Sequence, residues 1–344
     1  MSIPAADPPP PLPLAPVSTD FLAAQRANRG ATMQLLLILT AIAAVFGYVL
    51  GWVVEAFIVT ESLAEPSVAD IFFFSGMGLL AAGGMAGLSC LWSGVSLAFA
   101  DRMVLRSAGG RELAPDQEPE LHNVVEEMAI ASGLPKPKVF LIETEVPNAF
   151  ATGLRPDRAS IAVTRGLLNT LDRNELQGVI GHEMAHIANA DTRYLSVVAA
   201  TVGLISMISY GILRTMRSIR FGGGGGRSRG KGGGGLILLV LVLVVALISL
   251  LAPLAARLVQ FAVSRQREYL ADATSVQFTR HPQGLAAALR KIDAMAQPFP
   301  GATTSNQHMF IVNPLHKAAP DDSAWFATHP ATALRIARLM DMQQ

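Results

Sequence analysis

The chain has 344 residues, of which 51% are hydrophobic and 15% charged, and its mean hydropathy is +0.39. Soluble domains carry about 25% charged residues, so the composition excludes an ordinary soluble enzyme and points to an integral membrane protein with a polar domain attached. The net charge of +1 gives no sign of nucleic-acid binding, and the single cysteine, Cys90, excludes an intramolecular disulfide and a cysteine-type zinc site.

Residues 1–30 form a tail whose first part holds Pro8, Pro9, Pro10, Pro11, Pro13 and Pro16, a composition that predicts disorder or polyproline II. Four apolar stretches follow that reach the length of about 20 residues needed to cross a bilayer: 33–54, 71–100, 194–213 and 236–256. The first begins too far from the N-terminus for a cleaved signal peptide. In the second, Gly83 and Gly87 have the spacing of a close helix contact. Arg26 and Arg29 before the first stretch, and Arg102 and Arg106 after the second, predict that both flanks face the cytoplasm. The loop between carries Glu55, Glu61, Glu65 and Asp70 and no basic residue, and it is expected outside. A Gly-rich loop with Arg214, Arg217, Arg220, Arg227, Arg229 and Lys231 separates the third and fourth stretches. If both cross, that loop lies outside, against the charge rule; a shallow hairpin would keep it inside. Length favours two spans.

Two polar blocks remain, 101–193 and 264–344, and the apolar pair at 194–263 interrupts what reads as one catalytic domain. The first block predicts a helix at 119–132, strands at 138–142, 149–153 and 160–164, and helices at 165–171 and 173–189. Asp172 followed by Glu175 marks the start of the last helix as a capping box. The second block predicts helices at 265–278, 282–296 and 330–341, with irregular chain between the last two.

The helix at 173–189 carries His182-Glu183-Met184-Ala185-His186. Residues four apart share one helix face. His182 and His186 can therefore direct two imidazole nitrogens at one Zn²⁺, while Glu183, roughly 100° around the axis, can reach an attacking water without being a ligand. That is the arrangement amide hydrolysis needs. A catalytic zinc takes three protein ligands. Glu268 is the best source of the third, because its helix starts where the chain returns from the membrane. Asp272, four residues on, would then accept the outward N–H of a ligand histidine. Asp191, Glu175, His281, His308, His316 and His329 remain as alternatives for the third ligand.

The chain resembles the HtpX-type membrane metalloproteases, and more distantly the CAAX prenyl proteases. The stretches that carry the likeness are Asn148-Ala149-Phe150-Ala151-Thr152-Gly153, His182 to Asp191, Arg267-Glu268-Tyr269-Leu270-Ala271-Asp272-Ala273, Phe310-Ile311-Val312-Asn313-Pro314-Leu315, and Thr328-His329-Pro330 with Arg335-Ile336-Ala337-Arg338-Leu339. The resemblance implies a mainly α fold: membrane-embedded helices plus a zincin-like α+β metalloprotease domain with a small edge-exposed sheet. It implies one Zn²⁺ on His182, His186 and Glu268, with Glu183 as general base. It also implies that Asn148, Ala149, Phe150 and Ala151 pair with extended substrate, and that His329 and Arg335 lie near the site and stabilise the oxyanion. The implied activity is ATP-independent endoproteolysis of misfolded or damaged membrane proteins at the cytoplasmic face of the bacterial inner membrane. No phosphate-binding glycine loop of the Walker type is present, in keeping with ATP independence. The long Pro-rich tail and the loop at 214–235 depart from the family. Two rival readings are a prenyl-protein endoprotease with a defined substrate and a catalytically silent zinc-binding scaffold; the intact Glu183 argues against the second.

Overall fold

The structure, a computed structural model, describes residues 21–62, 75–221, 265–315 and 330–342. The Pro-rich stretch, the apolar segment 236–256, most of the Gly/Arg-rich loop and His329 lie outside these residues.

Helices α1 (Phe21–Ser62) and α2 (Gly76–Ser107) pack against each other along their length. Both are long and apolar enough to cross a membrane, and only 11% and 6% of their most apolar windows are buried. A core helix of a soluble protein would hide that surface; here Leu37, Ile38, Val45, Leu79, Leu80 and Leu88 all lie exposed, as lipid contact requires. The close helix contact does not use Gly83 or Gly87, which face open space. It uses Gly47 and Gly51 of α1: a Cβ on Gly47 would come within 2.5 Å of the Ala81 carbonyl oxygen, and one on Gly51 would collide with that of Met77. Small residues on one helix suffice, because backbone-to-backbone approach needs a gap on only one side.

The polar block begins with β1 (Arg111–Glu112), a two-residue strand too short for any pattern in the sequence to reveal. It continues through α3 (Pro119–Ser132), β2 (Lys138–Ile142), β3 (Ala149–Thr152), β4 (Ser160–Thr164), α4 (Arg165–Thr170) and α5 (Arg173–Ala188). Strand order is β1-β2-β4-β3, with β2 and β4 parallel and the outer pairs antiparallel. Then come α6 (Asp191–Phe221), α7 (Arg265–Thr279), α8 (Pro282–Ala294) and α9 (Thr332–Asp341). The expected third span falls within α6. The first half of α6 is buried against α1, α2 and the sheet, unlike the exposed faces of the first two helices.

The sheet separates two apolar cores. Alternation along β3 sends Ala149 and Ala151 into the core shared with α3, α5 and α8, and Phe150 into the other, shared with α1, α2 and α6. Helix α5 is the centre of the first core, and its last eleven residues are all buried. Its start is set by the Asp172–Glu175 capping box, and Lys291 of α8 also binds Glu175 at 2.6 Å. Glycine lets α7 and α8 come close. A Cβ on Gly178 would come 2.6 Å from the Leu285 nitrogen, and one on Gly181 would come 2.8 Å from Ser275 Oγ. Ser275 donates to the Gly178 carbonyl at 2.8 Å, which fixes α7 on α5.

Candidate metal centre and active site

That contact decides where the carboxylates of α7 fall. Asp272 lies just before Ser275, about one turn upstream, and Glu268 another turn before that. Both therefore face the His182–His186 side of α5. The ligand atoms of His182, His186 and Glu268 all lie within 4.8 Å of one another, and all three residues are buried. The two imidazole Nε2 atoms are 3.1 Å apart. The Glu268 carboxylate reaches 3.7 Å from each, through Oε2 toward His182 and Oε1 toward His186.

Each ring is held from behind by a carboxylate. His182 Nδ1 meets Asp272 Oδ1 at 2.9 Å, and His186 Nδ1 meets Asp191 Oδ2 at 3.0 Å. An ionised carboxylate only accepts hydrogen bonds, so both Nδ1 atoms carry the proton. In neutral rings both Nε2 atoms are then lone-pair acceptors, aimed at each other and at a third anion. Three acceptors converging at this distance repel unless a proton or a metal ion lies among them. Zn–N bonds of about 2.0–2.1 Å in tetrahedral geometry set two nitrogens about 3.4 Å apart, close to the separation seen. The donor set fits a zinc ion.

Arg335, on α9, is 1% exposed. Its Nε and Nη2 donate to the two oxygens of Asp272 at 2.9 and 2.7 Å, and Nη1 donates to the Ile311 carbonyl at 2.9 Å and lies 3.5 Å from Glu268 Oε2. The guanidinium is thus committed to the groups behind the ligands. Arg335, expected near the oxyanion, lies at the site, with its donors turned to Asp272, the Ile311 carbonyl and the Glu268 side. His329, the other residue expected there, is outside the described residues.

Both carboxylate oxygens of Glu183 are buried with no hydrogen-bond partner at normal distance, although the Ala151 N–H lies on their side. Desolvation pushes the Glu183 carboxyl up to about 7, against the pull of His186 and with help from Glu268. Burial pushes His182 below its ordinary value, Arg335 adding to the effect despite the Asp272 hydrogen bond. For His186 burial opposes charge, but the Asp191 hydrogen bond and the charges of Glu268, Asp191 and Glu183 take it up to about 9. The directions differ because burial and the Arg335 charge outweigh Asp272 at His182, whereas three carboxylates act on His186. Burial would raise Asp272, but the Arg335 charge and the hydrogen bonds from His182 and Arg335 hold it well below the usual carboxylate range.

Strand β3 runs beside this cluster as the edge of the sheet. Thr164 N–H donates to Asn148 O at 3.0 Å, so the backbone groups of Asn148, Phe150 and Thr152 face β4 and those of Ala149 and Ala151 face outward. Part of that outer edge is taken. The Ile311 N–H donates to Ala149 O at 2.9 Å, and Asn148 Nδ2 donates to Val312 O at 2.8 Å. Ala151, beside Glu183, is the next outward position. The Phe150 side chain is fully buried and stacks edge-on against Phe310 at 5.0 Å, so it anchors the strand from the far side.

The sequence did not identify Asp191 as a partner of His186. Five residues is an awkward separation on a continuous helix. Here the chain turns at Ala190, in the left-handed region at φ 57°, and α6 starts at Asp191 in a new direction. Asn189 and Asp191, both poor helix formers, were the available signal for that corner.

Residues 115–343 match peptidase family M48. The chain is 40% identical over 287 residues to a protease HtpX homolog of Thermoanaerobacter pseudethanolicus, covering 83% of this chain and 93% of that one. It is 41% identical over 293 residues to a protease HtpX homolog of Lactiplantibacillus plantarum, covering 85% and 95%. A crystal structure of S. mikatae Ste24p aligns with a TM-score of 0.45 at 18% identity, over 92% of this chain and 67% of that one. With the apolar helices and the His–His–Glu cluster, the family match and the two HtpX homologs define a membrane metalloprotease. The chain belongs to peptidase family M48.

Proposed function

We propose that the chain is a zinc-dependent endopeptidase of the bacterial inner membrane that hydrolyses misfolded or damaged membrane proteins at the cytoplasmic face without ATP. The observation that carries the zinc reading is the pair of imidazoles whose Nδ1 protons are taken by carboxylates, leaving two facing Nε2 lone pairs beside Glu268. His182, His186 and Glu268 are the ligands. Bound Zn²⁺ supplies Lewis acidity toward water and the scissile carbonyl. Glu183 takes the proton of the attacking water and hands it to the leaving amine. Its unpartnered oxygens and its raised pKa near 7 suit both halves of that transfer. Arg335 and Asp272 keep His182 oriented.

Ala151 offers an outward N–H and C=O to an extended peptide. Pairing of that kind reads backbone rather than side chains, which suits unfolded substrates of many sequences. The membrane reading rests on the exposed apolar faces of α1 and α2, which bring the site close to lipid-embedded substrates. The test is hydrolysis of unfolded casein by the full chain in detergent, with and without a chelator and without nucleotide. Wild type should cleave only with metal, and Glu183→Gln should keep zinc and not cleave. Chelator-resistant cleavage would refute the reading.

A further inference from the structure

We infer that Asn28, at the base of the first membrane helix, is a positioning residue for the metal centre, acting on His186 through Asp191. This rests on the zinc reading above. Asn28 is 6% exposed although its neighbours Ala27 and Arg29 lie open. Its Nδ2 donates to Asp191 Oδ1 at 2.7 Å and to Asn189 O at 3.0 Å. Its Oδ1 accepts from Arg267 Nη1 at 3.3 Å. The amide can stand only one way round, because the flipped form would set its oxygen against the Asp191 carboxylate.

Asp191 is 1% exposed and bridges two elements. One oxygen takes the Asn28 proton and the other faces His186 Nδ1 at 3.0 Å. The second Asn28 proton goes to Asn189, the C-cap of the helix that carries the histidines. Asn28 therefore fixes both the carboxylate that aims His186 and the end of α5. A buried polar group that loses its partner destabilises the fold, so Asp191 has reason to stay where this amide holds it. Asn28 brings no charge of its own to the carboxylate, and Arg267 Nε lies 3.9 Å from the same oxygen that Asn28 meets. A lysine at position 28 would neutralise the carboxylate. The membrane helix is, by this contact, a structural part of the metal site and not only an anchor.

The test is zinc affinity by chelator competition on the full chain in detergent, in a double-mutant cycle. Asn28→Ala should weaken zinc about 3–10-fold, less than the 10–100-fold typical when the partner in direct contact with a ligand is lost. Asn28→Asp keeps the volume but sets two carboxylates face to face, and should weaken zinc more; it also keeps the test readable if the alanine variant inserts poorly. In an Asp191→Ala background, Asn28→Ala should change zinc affinity less than twofold, because the route is already cut. Equal losses in both backgrounds would mean a general packing role and overturn the inference. Unchanged zinc affinity in Asn28→Ala would overturn it too. A wild-type chain without zinc would sink the metal reading itself, a result distinct from either.

Discussion

The two histidines of the centre are supported in different ways. His182 is backed by Asp272 of α7, which is itself locked by a two-pronged Arg335 of α9. His186 is backed by Asp191, held mainly by the neutral amide of Asn28, with Arg267 Nε no closer than 3.9 Å. One support is a buried ion pair and the other a carboxylate hydrogen-bonded by an amide of α1. The contrast teaches that equal metal geometry does not mean equal stability. A buried ion pair is costly to break because the abandoned charge stays buried, while a carboxylate held by an amide leaves only unsatisfied dipoles when removed.

Glu183 belongs to neither support and sets the scale. Glu183→Gln should lower casein hydrolysis about 10²–10⁴-fold with zinc content unchanged by metal analysis; loss of zinc would make Glu183 part of the ligand set. Next, Asp272→Ala should weaken zinc about 10–100-fold and also destabilise the fold by about 3–5 kcal/mol, since Arg335 loses its buried partner. Thermal unfolding in detergent reads that cost. Asp272→Ala with Arg335→Met should recover most of the stability and none of the zinc affinity. Asp191→Ala should show a similar zinc loss with a smaller drop in melting temperature than Asp272→Ala; equal drops would erase the distinction between the supports. The smallest effect on the metal is expected from Gly47→Ala, which crowds the Ala81 carbonyl. Overpacking of this kind costs about 1–3 kcal/mol and should lower the melting temperature with zinc affinity within twofold.

Much of the site is legible in the sequence because its logic is local. The capping box starts α5, the four-residue spacing puts His182 and His186 on one face, and the same spacing pairs Glu268 with Asp272. The strands at 138–142 and 160–164 and the helix at 119–132 coincide with β2, β4 and α3. What local pattern does not carry is contact across long separations. Asn28 and Asp191 are 163 positions apart and meet only once α1 lies beside the α5–α6 corner. The pairing of Ile311 with the β3 edge is hidden for the same reason. The spacing of Gly83 and Gly87 fits a helix contact, but the contact uses Gly47 and Gly51 of α1, because spacing shows which residues could approach and not which face turns inward.

Asp191 also opens α6, a helix of 31 residues. Aligned peptide dipoles leave a partial positive charge at such an end, and here that end lies beside a cluster that could hold a cation. Without an anion between them, the helix and the metal would oppose each other. The Asp191 carboxylate satisfies both, as first-turn acid to the helix and as hydrogen-bond acceptor to His186. The long helix and the histidine cluster thus share one acid, at the first residue of α6.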